Sequence, residues 1–162
     1  MKIRFDEHVS EKIVGSINEL TLIPNLEISS IYSASQRGFT DFHWATQFSK
    51  EGGDAIITAD TDFFKRHHLV VAIQETGLKV IHLRSQWANS RFTLQAAFLL
   101  LWWDRIYDTL EACNQRELYQ VPWQFGLEAK LIKKPLDFQN ARKKVKTADR
   151  RNPNRKIPRQ SP

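Results

Sequence analysis

The strongest constraint in this sequence is the alternation of four short β-branched runs with longer stretches of helical periodicity. Lys2–Phe5 (KIRF), Glu27–Tyr32 (EISSIY), Ala55–Ala59 (AIITA) and Val80–Leu83 (VIHL) have the length and composition of strands. Ile13, Val14, Ile17 and Leu20 recur on one helical face behind a candidate cap at Ser10. Trp44, Ala45 and Phe48 give an apolar face to a helix that Thr40 caps and that runs from Asp41 to Lys50. A helical stretch through Gln74 carries Phe63, Leu69, Val70 and Ile73, and Ser90 opens a long helix with Leu94, Ala97, Phe98, Leu101 and Leu110 on one side. Pro24-Asn25, the turn at Arg37-Gly38-Phe39-Thr40, Gly52-Gly53 and Gly77 supply the breaks. Such alternation predicts an α/β fold around a parallel sheet with right-handed crossovers.

Composition removes several other classes. With 41% hydrophobic residues in a chain of 162, the protein has enough apolar side chains to bury a core, so disorder and collagen-like structure are excluded. Cys113 is the only cysteine, which excludes an intrachain disulfide and a thiolate metal cluster and predicts a reducing, cytoplasmic setting. The longest apolar run, Ala96–Trp103, falls short of the roughly 18–20 residues that span a bilayer, and the opening MKIRFDEH is charged where a signal peptide would be apolar. No membrane association is expected.

In a parallel α/β sheet, ligands sit beyond the carboxyl ends of the strands. Asp6 and Glu7 follow the first strand, Asp60 and Asp62 follow the third, and Asp41 opens the helix before it. Adjacent strands lie about 4.8 Å apart, so carboxylates at neighbouring strand ends converge and require a counter-ion. A hard divalent cation with oxygen ligands, Mg²⁺ or Mn²⁺, meets that need and supports phosphodiester hydrolysis. Each acid taken singly also suits the ordinary role of capping the next helix.

The same residues resemble a known family. F-D-E-H at 5–8, G-F-T-D at 38–41 and T-A-D-T-D-F at 58–63 are similar, in order and spacing, to the motifs of the compact PIN-like nucleases, including VapC-type toxins. The resemblance covers about residues 2–105 and implies a three-layer α/β/α sandwich with a mostly parallel central sheet. It also implies a Mg²⁺- or Mn²⁺-dependent endoribonuclease, acting as the toxin beside a cognate antitoxin protein. Position by position, Asp6, Asp41, Asp60 and Asp62 match the metal-binding acids, with Glu7 as a further candidate. His8 stands where these relatives usually carry Asn. A homodimer is compatible with this reading.

The net charge of +6 divides unevenly. Residues 130–162 hold 12 Lys/Arg against Asp137 and Asp149, a net of +10, whereas residues 1–129 hold 12 against 16 acids, a net of −4. The expected organisation is a nuclease domain over 1–113, an ordered C-terminal extension over 114–138 with one strand near Ala129–Ile132, and a disordered basic tail over 139–162. Nine cations on that tail suit the backbone of an RNA substrate, or equally a solvated tail. Lys65, Arg66, Arg37 and Arg84 are further phosphate candidates near the acidic edge.

Two other classes share parts of this pattern. A phosphoacceptor receiver module also places acids after its first and third strands, but it needs a Lys after the last strand, where Leu83 is followed by Arg84-Ser85-Gln86. A haloacid-dehalogenase-type phosphatase is disfavoured by Phe64 in D-T-D-F-F, where that motif has Thr or Val. A PIN-like domain that binds RNA or protein without cleaving satisfies the same motifs.

Overall fold

The computed structural model describes residues 1–34 and 40–151, with the backbone but not the side chain of Asp41. The elements are β1 (Lys2–Phe5), α1 (Glu11–Leu20), β2 (Glu27–Ser30), α2 (Asp41–Lys50), β3 (Ala55–Thr58), a 3-10 turn (Phe63–Lys65), α3 (His67–Thr76), β4 (Lys79–Leu83), α4 (Ser85–Ala88), α5 (Phe92–Ala112), β5 (Leu118–Val121), β6 (Ile132–Lys134) and α6 (Phe138–Arg151). The strands form one sheet in the order β2-β1-β3-β4-β5-β6, parallel throughout except for β6.

Side-chain alternation along the strands sorts the core into two faces. Ile3, Phe5, Ala55, Ile57 and Ile81 join Val14 and Ile17 of α1 and Leu99, Trp102 and Ile106 of α5. Ile56, Val80 and Leu118 join Trp44 and Phe48 of α2 and Leu69 and Ile73 of α3. The result is the α/β/α sandwich expected from the family motifs. Each fully buried Ile or Leu contributes about 1.5–3 kcal/mol of transfer free energy, which fixes the register of strands only four or five residues long.

Local chemistry decides where elements stop. Thr40 caps α2 by accepting the His43 N–H at 3.3 Å. Ser10 occupies the N-cap of α1 without a side-chain bond. β2 ends at Ser30, earlier than the expected Tyr32, because Ser30 and Ser33 exchange bonds between amide N–H groups and hydroxyls at 2.9 Å and turn the chain. Gly77 ends α3 in the left-handed region at φ 80°. The turn at Arg37-Gly38-Phe39 lies outside the described residues.

The long helix departs from expectation in two respects. α5 starts behind Arg91 rather than Ser90, whose hydroxyl donates to the Trp87 carbonyl at 2.7 Å. Its buried stripe is Phe98, Leu99, Trp102, Trp103, Ile106 and Leu110, while Leu94 and Leu101 are about half exposed.

The segment after residue 113 is no appendage. β5 pairs with β4 along its length, from Val80 opposite Leu118 to Leu83 opposite Val121, and thus continues the main sheet. The last strand is Ile132–Lys134 rather than Ala129–Ile132. Between them, Trp123 stacks on Phe98 with centroids 5.0 Å apart and Phe125 meets Trp102 edge-on at 5.2 Å. Arg105 holds this loop through the carbonyls of Gly126, Leu127 and Ala129 at 2.6–2.7 Å.

Residues 139–151, expected in a disordered tail, belong to α6, and 152–162 lie outside the described residues. This helix docks through Ala141, buried against Val70 and Val71 of α3, with Phe138 and Val145 of α6 and Leu136 before it packed on the same cluster. Asp137 caps it by accepting the Asn140 N–H at 2.9 Å, Lys and Arg are good helix formers, and Arg150 and Arg151 lie in the last turn, where cations complement the dipole.

Candidate active site

β1 has β2 on one side and β3 on the other, so the crossover direction reverses between β1 and β3. Such a switch point opens a crevice at the carboxyl ends of the strands. Asp6 emerges there from β1 and Asp60 from β3, and both are buried, at 7% and 5% exposure. The Asp6 N–H still donates to the Ile57 carbonyl at 3.0 Å, so the sheet ladder itself positions this carboxylate.

Thr58 joins the two acids. Its hydroxyl donates to Asp6 Oδ2, and its Oγ1 accepts the Asp60 N–H at 3.0 Å. On the other side of Asp6, Oδ1 accepts the His8 N–H at 3.0 Å and Oδ2 lies 3.3 Å from His8 Nδ1. The hydrogen bond to Asp6, reinforced by the charges of Asp6, Asp60 and Glu7, raises the His8 pKa above its ordinary 6.5.

Asp60 is held from three directions. Oδ1 accepts the Asp62 N–H at 2.8 Å, and Oδ2 pairs with Nε of Arg66. Its carbonyl accepts from Nε2 of buried His82 at 3.0 Å. A carbonyl only accepts, so Nε2 carries the proton, and Nδ1 accepts the Gln120 amide N–H at 3.1 Å. Burial pushes the His82 pKa down. Phe63 and Phe64 cover the imidazole, with centroids 5.9 and 5.4 Å away.

The expected site residues thus divide. Asp6 and Asp60 are brought together. Asp62 contributes its backbone N–H, while its exposed carboxylate pairs with Lys65 Nζ at 2.6 Å, which holds the Asp62 pKa low. Glu7 is exposed and enters through its carbonyl, which accepts the Tyr32 hydroxyl at 3.2 Å. Asp41 is the first residue of α2, and its side chain lies outside the described residues. Among the described residues no three His, Cys, Asp or Glu side chains form a group placed to hold a metal ion. What the described residues offer is two buried carboxylates, hard oxygen donors with a cationic guanidinium already beside one of them. This donor set fits a hard divalent cation.

Thr58 and His82 join the site beyond the residues that the sequence singles out. For Thr58 the available signal was a hydroxyl closing an otherwise apolar strand. His82 stood as the one polar residue within VIHL.

Among the described residues no helix is long and apolar enough to cross a membrane. No curated protein and no solved structure gives a significant match. A family model described as a PIN like domain matches residues 1–85, slightly more than half of the chain and the part that supplies Asp6, Thr58, Asp60 and His82. The chain belongs to the PIN-like domain family, whose members are generally nucleases.

Proposed function

We propose that this protein is a metal-dependent endoribonuclease, with Asp6 and Asp60 holding a Mg²⁺ or Mn²⁺ ion. The observation that carries this reading is the pair of buried carboxylates flanking the switch point and tied together through Thr58. Asp41, at the start of α2, and Asp62 are proposed to complete the acidic set, with Glu7 at its rim. When bound, the ion would supply Lewis-acid stabilisation of charge developing on the phosphoryl oxygens.

The chain's own residues prepare the site. Thr58 fixes the Asp6 carboxylate in one orientation, and His82 fixes the Asp60 backbone. His8, protonated to higher pH than an ordinary imidazole, places a proton donor beside Asp6. Arg66 neutralises Asp60 in the absence of a cation and, once displaced, offers a planar donor for a phosphate. The resemblance to VapC-type toxins extends the proposal to a toxin acting on cytoplasmic RNA and restrained by an antitoxin protein.

Cleavage of single-stranded RNA by the full chain, with Mg²⁺ or Mn²⁺ added, tests the reading. Wild type should cleave. Asp60→Asn should lose cleavage while keeping the circular dichroism of the folded chain. Cleavage undiminished in Asp60→Asn would overturn it.

A further inference from the structure

A groove of about 310 Å³ runs between the N-terminal end of α3 and α6. Lys65, Arg66, His67 and His68 line one wall, and Lys144, Val145 and Ala148 the other. All of its ionisable groups are basic. It is continuous with the acidic crevice, because Lys65 and Arg66 are the residues that pair with Asp62 and Asp60.

α6 extends the positive wall. Between Phe138 and Arg151 it carries Arg142, Lys143, Lys144, Lys146, Arg150 and Arg151 against the single acid Asp149. Lys144 is exposed and has no ion-pair partner among the described residues. Arg151, seven residues on, falls on the same stripe of the helix. The charge of Lys144 also reaches across the groove, where it joins burial in lowering the His67 pKa. Fourteen helical residues span about 21 Å, long enough to follow several nucleotides.

We infer that the α3–α6 groove, with Lys144 and Arg151 on one side and His67 and His68 on the other, binds the sugar-phosphate backbone of single-stranded RNA and leads the strand to the carboxylates at Asp6 and Asp60. This rests on the ribonuclease reading for its substrate. The groove has the chemistry of a backbone track: point charges and imidazoles hold phosphates without reading bases.

Binding of a fluorescein-labelled oligouridylate to the full chain, followed by anisotropy in EDTA over a range of salt, tests the inference without cleavage. Lys144→Glu and Arg151→Glu should each weaken binding severalfold, and each should flatten the plot of log K against log salt by about 0.7. Lys144→Arg should bind as wild type does. Lys12→Glu makes the same charge change on α1, across the sheet, and should leave affinity and slope unchanged.

Unaltered RNA affinity in Lys144→Glu would overturn the inference. So would an equal loss in Lys12→Glu, which would reduce the effect to net charge. Binding of oligoglutamate that Lys144→Glu abolishes, with RNA affinity intact, would assign the groove to an acidic protein segment instead. Failure here, with Asp60-dependent cleavage intact, removes the groove alone. RNA bound through Lys144 but never cleaved removes the ribonuclease reading alone.

Discussion

Thr58, the last residue of β3, donates its hydroxyl to Asp6 beyond β1, and its Oγ1 accepts the N–H of Asp60. One buried hydroxyl thereby serves two acids from different strands. Replacing it with isosteric valine leaves the buried Asp60 N–H without its partner and leaves Asp6 Oδ2 with His8 Nδ1 alone. Thr58→Val should lose about 1–3 kcal/mol of stability in urea unfolding, because the orphaned N–H carries a desolvation cost. Thr58→Ser keeps the hydroxyl and should recover most of it.

A second prediction concerns Gly53. A Cβ there would lie 2.6 Å from ring carbons of Phe48, which is 2% exposed and carries the Arg4 guanidinium 4.2 Å over its ring. Arg4 is anchored in turn to Ser29 and Glu51 at 3.1 Å. With neither ring nor guanidinium free to retreat, Gly53→Ala should cost about 1–3 kcal/mol through overpacking. Thermal unfolding checks it, and Gly15→Ala, where an added Cβ meets nothing within 4 Å, is the comparison.

The histidines impose a pH dependence with two signs. His8 titrates above 6.5 in the folded chain, chiefly through its bond to Asp6. Folded protein therefore holds the extra proton as pH rises from 6.5, and stability falls until the raised pKa is passed. His82, lowered by burial, behaves oppositely. Below 6.5 the unfolded chain takes the proton first, so stability falls as pH drops. His67 is also lowered by burial and adds to that side. Urea midpoints should peak near pH 6.5, each histidine changing stability by at most about 1.4 kcal/mol per pH unit. His8→Asn should flatten only the alkaline side.

On the proposed reading, a divalent ion at Asp60 would compete with Arg66, which already pairs with Asp60 Oδ2. In Arg66→Gln the Asp60 carboxylate loses its cation, and Mn²⁺, followed by electron paramagnetic resonance, should bind more tightly than to wild type. Weaker binding would mean that the guanidinium holds Asp60 ready for the ion rather than against it.

The strand-end positions of Asp6 and Asp60 were legible because a short strand followed by an acid is a local pattern. Their coupling was not, since Thr58, His82 and Gln120 meet only after β1, β3, β4 and β5 align, and no spacing along the chain encodes that register. β5 is inconspicuous in the sequence because Leu118–Val121 is four residues with a polar middle, and its place in the sheet depends on the Val80–Leu83 edge beside it. α6 is hidden for a different reason. The small Ala141 fits against Val70 and Val71, and Asp137 starts a helix of good helix formers, features that a scarcity of large apolar residues masks.

The pairing of β4 with β5 also bears on how the chain is made. Residues 1–85 carry the family's sequence signature, yet the β4 edge waits for residues 118–121, across the intervening α5. While a nascent chain emerges from the ribosome, that edge, with Val80 and Leu83 beside it, stays bare through the synthesis of more than thirty further residues. A parallel edge closed so late folds slowly and invites pairing with other chains. Yield of correctly assembled protein should therefore depend on the speed of elongation through α5, a liability set by topology rather than by the stability of the finished sheet.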